Sequence, residues 1–273
     1  MPIPDEVREQ RTRAREVLMS WIKTPVTLPR PVCFVPGWRD ERAECWSHME
    51  MWLKWVCSNY EQQVHVIQFF AADGRSYPPW EDFLDFASDL ADYVNANLAG
   101  QPVDLVCHSM GGLDALAAIA LMGAHPELGS QPVRNVQNVI TYDTPFCGFA
   151  AAGNQLLKKF VAAGRQDGWV QLQLGAMEPD SKRIAEVKGA RDAFLQNVAA
   201  FWPRGAENLD GLLEVPHESA SFGERADFAP PLRPRYHDYV WFEGTSHSGA
   251  ENGVTHDFRA IVDTVQVLTG KAR

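Results

Sequence analysis

Apolar positions along this chain switch repeatedly between a helical and a strand-like period. Over residues 5–21, Val7, Ala14, Val17, Leu18 and Trp21 recur at helical spacing among Arg and Glu, which predicts a helix laid on the outside of a domain. Pro25, Pro29 and Pro31 break that pattern. The run Val32-Cys33-Phe34-Val35 follows, short and wholly apolar as a buried strand is, and Pro36-Gly37-Trp38 ends it. Residues 45–60 return to helical spacing through Trp46, Met49, Trp52, Leu53 and Val56. Residues 64–70 predict a second strand. Phe83, Leu84, Phe86, Leu90, Tyr93 and Val94 then set one buried face on a helix over 80–98, which Gly100 and Pro102 close.

Residues 103–112, V-D-L-V-C-H-S-M-G-G, change period in mid-run. Val103, Leu105 and Val106 suit a buried strand, while Leu113, Leu116, Ala117, Ala120 and Leu121 recur at helical spacing, and Ser109 sits between them. Residues 136–142 predict another strand, and residues 150–190 depart from the rhythm with helical material only, as an inserted lid or cap over about 149–192 would. Residues 198–202 suit a strand leaving the sheet, 208–213 a turn carrying Asp210, 236–243 the last strand, and 258–268 a closing helix. Strands alternating with helices require right-handed crossovers and a mostly parallel sheet flanked by helices. We therefore expect one α/β domain over 1–273, with an N-terminal helix within 1–24.

Composition narrows the function. With 273 residues and 45% hydrophobic content the chain can bury a full core. A net charge of -10, with no dense run of Lys or Arg, argues against nucleic acid as a partner. No apolar run is long enough to span a bilayer, and residues 1–10 are polar, so a cytoplasmic protein is expected, or a secreted one if a leader once preceded it. The five cysteines lack C-x-x-C spacing and read as free thiols, Cys33 and Cys107 buried in strands. No His, Cys or carboxylate cluster has metal-ligand spacing, and the chemistry asks for no cofactor.

Ser109 on a tight strand-to-helix turn is either a helix cap or a nucleophile lifted off the sheet toward a helix N-terminus. A hydroxyl near its free pKa is a poor nucleophile. It needs an imidazole to take its proton and a carboxylate to orient that imidazole. Asp210 and His247 supply these in chain order, with Asp143 as a rival acid and His256 as a rival base more often found as a cap or surface group. His108, beside the serine, is badly placed as its base and reads as a supporting hydrogen-bonding group. Asp104, Asp114, Glu214 and Glu218 read as solvated or helix-end charges. Oxyanion donors would be the backbone N–H of Met110 and, if the 36–38 loop is more than an ordinary turn, that of Trp38.

Over most of residues 31–270 the chain resembles a serine lipase or esterase of the α/β-hydrolase family. H-S-M-G-G at 108–112 is similar to the nucleophile motif of many lipases, with Cys107 where a glycine is usual. T-P-F-C-G at 144–148 resembles their T-P-H-x-G, N-L-D-G-L-L-E-V-P at 208–216 their acid-bearing turn, and H-S-G at 247–249 their terminal histidine loop. Pro36-Gly37 stands where many relatives have His-Gly. The resemblance implies an α/β-hydrolase fold with a helical lid, the triad Ser109, Asp210 and His247, and a small-molecule ester or lipid substrate. Apolar residues near the turn favour a medium or long acyl group over acetate. A thioesterase or acyltransferase would use the same residues, and a binding protein on a hydrolase scaffold would usually lack one of them.

Overall fold

Alternation within the short apolar runs decides which face of the sheet each residue takes. In the computed structural model, which describes residues 3–37, 43–69, 83–134, 136–144, 211–215, 237–239 and 253–270 together with 182–183, 185–187, 189 and 245, those runs become parallel strands. β1 is Val32–Val35, β2 Val64–Val66, β3 Val103–His108, β4 Val136–Tyr142, β5 Gly211–Val215 and β6 His237–Tyr239. They form a six-stranded sheet in the order β2-β1-β3-β4-β5-β6, and each neighbouring pair is parallel. Strand order reverses between β1 and β3, so the crevice at the carboxyl ends of these two strands is where such a sheet takes ligands.

Helices cover both faces. α4 (Phe83–Asn97) and α5 (Met110–Ala120) pack with Cys33, Val35, Leu105, Cys107 and Val139 on one side. On the other, α1 (Asp5–Lys23), α2 (Ser47–Val56) and the closing helix α6 (Phe258–Leu268) pack with Val32, Phe34, Val106, Ile140 and Tyr142. A short helix α3 (Tyr60–Gln63) leads into β2. Cys107 is fully buried beneath α5, and burial, reinforced by Asp114, pushes its thiol well above the ordinary value. A small side chain at this position lets the helix cross close to the strand. Cys33, Cys45, Cys57 and Cys107 are free thiols.

Several expectations from spacing are corrected. Val17 and Tyr93 face outward, each 36% exposed, because the apolar stripes of α1 and α4 are narrower than the run of apolar letters. Tyr93 instead reaches across to His65, with its hydroxyl 3.0 Å from Nδ1. The expected helix over 45–60 starts as a 3-10 turn, Glu44–Trp46, and stops at Val56, where Cys57 is extended and pairs with Val26. Residues 208–213 are not wholly a turn, since Gly211 already opens β5. The expected strand over 198–202 lies outside the described residues. So does most of the proposed lid, although residues 182–187 include helical positions and Val187 is buried in the α4–α5 core.

Asp104 and Asp114 were expected to be solvated or helix-end charges, and both are fully buried. Asp104 is tolerated in the sheet because Arg30 Nε lies 2.9 Å from both of its carboxylate oxygens. The backbone and side-chain N–H groups of Asn138 also donate to Oδ1, at 3.0 and 2.8 Å. Burial pushes the Asp104 carboxyl up to about 6 despite the opposing pull of Arg30 and Asn138.

Candidate active site at the nucleophile turn

β3 ends at His108 and α5 begins at Met110, so Ser109 alone must turn the chain from strand to helix. It does so at φ 54 and ψ −127, a left-handed conformation that costs an L-residue on the order of 1–3 kcal/mol. Both of its backbone polar groups hold it there. Its N–H donates to the Tyr142 carbonyl at 2.9 Å, and its carbonyl accepts from Gly112 N–H at 3.1 Å. The Ser109 side chain makes no capping hydrogen bond to α5, which removes the reading of this serine as an ordinary helix cap. Asp257 shows what a cap looks like in this chain, since its carboxylate accepts from the Arg259 N–H at the start of α6.

The neighbours of the turn explain its glycines. A Cβ on Gly111 would stand 2.4 Å from the Pro36 carbonyl oxygen and 2.7 Å from that of Val35. One on Gly112 would stand 2.1 Å from the Thr144 hydroxyl. The first turn of α5 is therefore wedged between the ends of β1 and β4, and only glycine fits on either side. Gly37 is the matching element on β1, because a Cβ there would lie 2.8 Å from Ser109 Cβ and 3.1 Å from the His108 carbonyl oxygen. The loop that follows β1 thus starts in contact with the serine. Trp38, the expected second oxyanion donor, lies outside the described residues. Met110, the expected first donor, is the first residue of α5, and its backbone N–H is among those a helix leaves without an internal partner.

His108 is buried at 4% exposure beside this turn, edge-on to the Trp46 ring at 6.2 Å between centroids. Trp46 also meets Tyr142 and Phe34 edge-on, so the underside of the serine turn is an aromatic floor. Tyr142 ties that floor to α6, donating to the Ala260 carbonyl at 3.0 Å and touching the Thr264 hydroxyl.

The remaining expected residues stand as follows. Asp143 follows β4 at φ 51 and is 4% exposed; because Tyr142 pairs with His108, it is level with Ser109 at the carboxyl edge. Asp210 and His247 lie outside the described residues. Asp210 immediately precedes β5, whose register sets Gly211 beside Asn138 and Val215 beside Tyr142. The chain therefore leaves the carboxyl edge of β5 after Val215. His256, the rival base, is half-buried against His48 rather than capping α6. Spacing alone did not reveal this pairing, because the two histidines are far apart in the chain.

No curated protein matches the chain in sequence. Among solved structures, phospholipase PlaB from Legionella pneumophila superposes with a TM-score of 0.57 at 15% identity, covering 89% of this chain and 60% of that one. The chain thus spans 60% of the length of that phospholipase, and the likeness is one of fold. MenH from S. aureus gives a TM-score of 0.47 at 16% identity, over 89% of this chain and 94% of that one. The sequence model of the alpha/beta hydrolase family matches residues 34–270, from β1 to the end of α6. On that match, the chain belongs to the alpha/beta hydrolase family.

Proposed function

We propose that this chain is a serine hydrolase of carboxylic esters that works through an acyl-enzyme. Ser109 Oγ attacks the ester carbonyl while His247 takes its proton, and a carboxylate, the expected Asp210 or one of the two that strand register favours below, orients the imidazole and offsets its charge. The N–H groups of Met110 and Trp38 receive the oxyanion. His247 then protonates the departing alcohol, and water, deprotonated by the same imidazole, releases the acid. A small-molecule ester or lipid with a medium or long acyl chain is the substrate class. The observation that carries this reading is the left-handed, doubly hydrogen-bonded backbone of Ser109, whose side chain is not used as a cap. Strain of this kind persists where the surroundings enforce it, and Gly37, Gly111 and Gly112 are the enforcing contacts.

Strand register favours a second assignment for the acid alone. An acid leaving the carboxyl edge of β5 comes after Val215, and Glu218 is the first carboxylate there in sequence, while Asp143 stands at the same edge of β4. Reaction with a fluorophosphonate probe, mapped by peptide mass, tests the nucleophile: labelling of Ser109 is expected. Ser109→Ala should abolish p-nitrophenyl ester hydrolysis with the fold intact, and retained turnover would overturn the assignment. Comparing Asp210→Asn, Glu218→Gln and Asp143→Asn identifies the acid as the one whose loss lowers kcat by orders of magnitude with KM little changed. Competition between water, alcohols and thiols for the acyl group separates hydrolysis from acyl transfer, and rates on acyl thioesters separate an esterase from a thioesterase.

A further inference from the structure

One polar side chain stands in the aromatic floor under the serine turn, where an apolar one would pack as well. Alternation along β3 puts Val106 and His108 on the face covered by α1, α2 and α6, while Leu105 and Cys107 take the other. On that face the His108 ring meets Trp46, which in turn meets Phe34 and Tyr142, all three of them buried. A phenylalanine would fill this place without the cost of taking an imidazole out of water, so the nitrogens of His108 need a use.

That use lies at the end of β1. A Cβ built on Gly37 would stand 3.3 Å from His108 Nδ1, 3.1 Å from the His108 carbonyl oxygen and 2.8 Å from Ser109 Cβ. His108 Nδ1 is shielded from solvent at this point. The β1–β3 ladder ends with Val35 beside Cys107, and His108 then stands beside Tyr142 of β4. Past Val35, contacts rather than sheet pairing keep Gly37 at Ser109, and His108 supplies two of them, one from its carbonyl and one from its ring.

We propose that His108 is a positioning residue of the nucleophile turn, whose Nδ1 holds the Gly37 backbone against Ser109 and so fixes the end of β1 at the distance that acyl transfer needs. The inference rests on the reading of Ser109 as the nucleophile. The imidazole lies beneath the turn, against Trp46, and takes no proton in the reaction.

Two substitutions divide the ring from its nitrogen. His108→Phe keeps an aromatic ring and removes Nδ1, whereas His108→Asn gives up the ring and returns a polar atom near the place of Nδ1. On p-nitrophenyl butyrate, His108→Phe should lose about a hundredfold in kcat with KM within about twofold, and the rate at which a fluorophosphonate labels Ser109 should fall in parallel. His108→Asn should recover about tenfold of that loss, although its Tm should lie below that of His108→Phe. A role in packing alone gives the reverse order of rates, with phenylalanine the better replacement. The acid limb of kcat/KM against pH should keep its midpoint in both variants, because the base is elsewhere. Wild-type rate in His108→Phe overturns the proposal, and so does loss of the acid limb in both variants, which would make His108 the base.

Gly37→Ala and His108→Ala, singly and together, test the contact without turnover. Their losses of Tm should fall short of adding, because the second substitution acts on a contact the first has already displaced. Additive losses overturn the contact. A wild type that neither turns over nor labels at Ser109 overturns the ester reading instead, and the paired substitutions still decide whether His108 holds Gly37.

Discussion

The two ends of β3 each carry a buried polar side chain, and they treat it in opposite ways. Near the amino end, Asp104 is surrounded by donors: Arg30 on one side and the backbone and side chain of Asn138 on the other. Just past the carboxyl end, Ser109 sits on a strained backbone, its hydroxyl making no cap to the helix it precedes. At the amino end the surroundings satisfy the side chain. At the carboxyl end they fix the backbone and leave the side chain uncommitted to the helix, as the proposed nucleophile requires. A buried charge is stable only when paired, whereas a nucleophile must be held without being consumed by its partners. One strand can do both because its ends face different neighbours, the 30–31 approach to β1 below and Gly37 above.

The largest expected effect lies at the amino end. Arg30→Met leaves Asp104 buried without its cation, which should cost on the order of 3–5 kcal/mol at about pH 8 in urea unfolding. The loss should shrink on acidification, since a protonated Asp104 no longer needs the guanidinium. The double variant with Asp104→Asn should recover part of it, and additive losses would show that the pair is not coupled. Esterase activity of the folded fraction should be unchanged, because the clasp is at the far end of the strand.

Next in size is Gly37→Ala, which puts a methyl group 2.8 Å from Ser109 Cβ. A displacement of this kind at a reacting centre costs about a hundredfold in rate. The expected outcome is a fall in kcat/KM near that size with about 1–3 kcal/mol of overpacking strain. A variant that loses stability and keeps its rate would separate the 36–38 loop from the chemistry. Gly112→Ala should behave likewise through Thr144, and Thr144→Gly should relieve it in the double variant, since every Thr144 contact to the added methyl is a side-chain contact.

Which features were legible in the sequence follows the same division. β1, β3, β4 and α6 were readable because a strand buried on both faces is a largely apolar run and an amphipathic helix keeps one period. The serine turn was readable because two glycines after a serine, between a strand period and a helical one, have few other uses. Asp104 was misread as solvated, although a carboxylate inside V-D-L-V on a central parallel strand has no water to face and must find a partner. That signal was present in the run itself. The His48–His256 stack had no such signal, since it depends on how α2 packs against the start of α6. β5 was missed because G-L-L-E-V is short and opens on the glycine of Asp210-Gly211, a pair that reads as a turn.

The smallest expected effect is a pair of opposed pH slopes. Asp104 titrates at about 6 in the fold, above its ordinary value near 4 in the unfolded chain. The folded state therefore holds the extra proton between those values, and the stability Asp104 contributes is present below about 4 and lost as pH rises through about 6. The His48–His256 pair, which burial holds below the ordinary histidine value, works in the other direction, losing stability as pH falls below about 6.5. In the wild type these slopes partly cancel between about pH 4 and 6.5, giving a flat Tm profile. Asp104→Asn should remove the first term and leave Tm rising with pH across that window, whereas His48→Gln should weaken the second and tilt the profile the opposite way. Profiles that tilt in the same direction in both variants would show that the amino-edge clasp and the histidine stack do not titrate as their surroundings dictate.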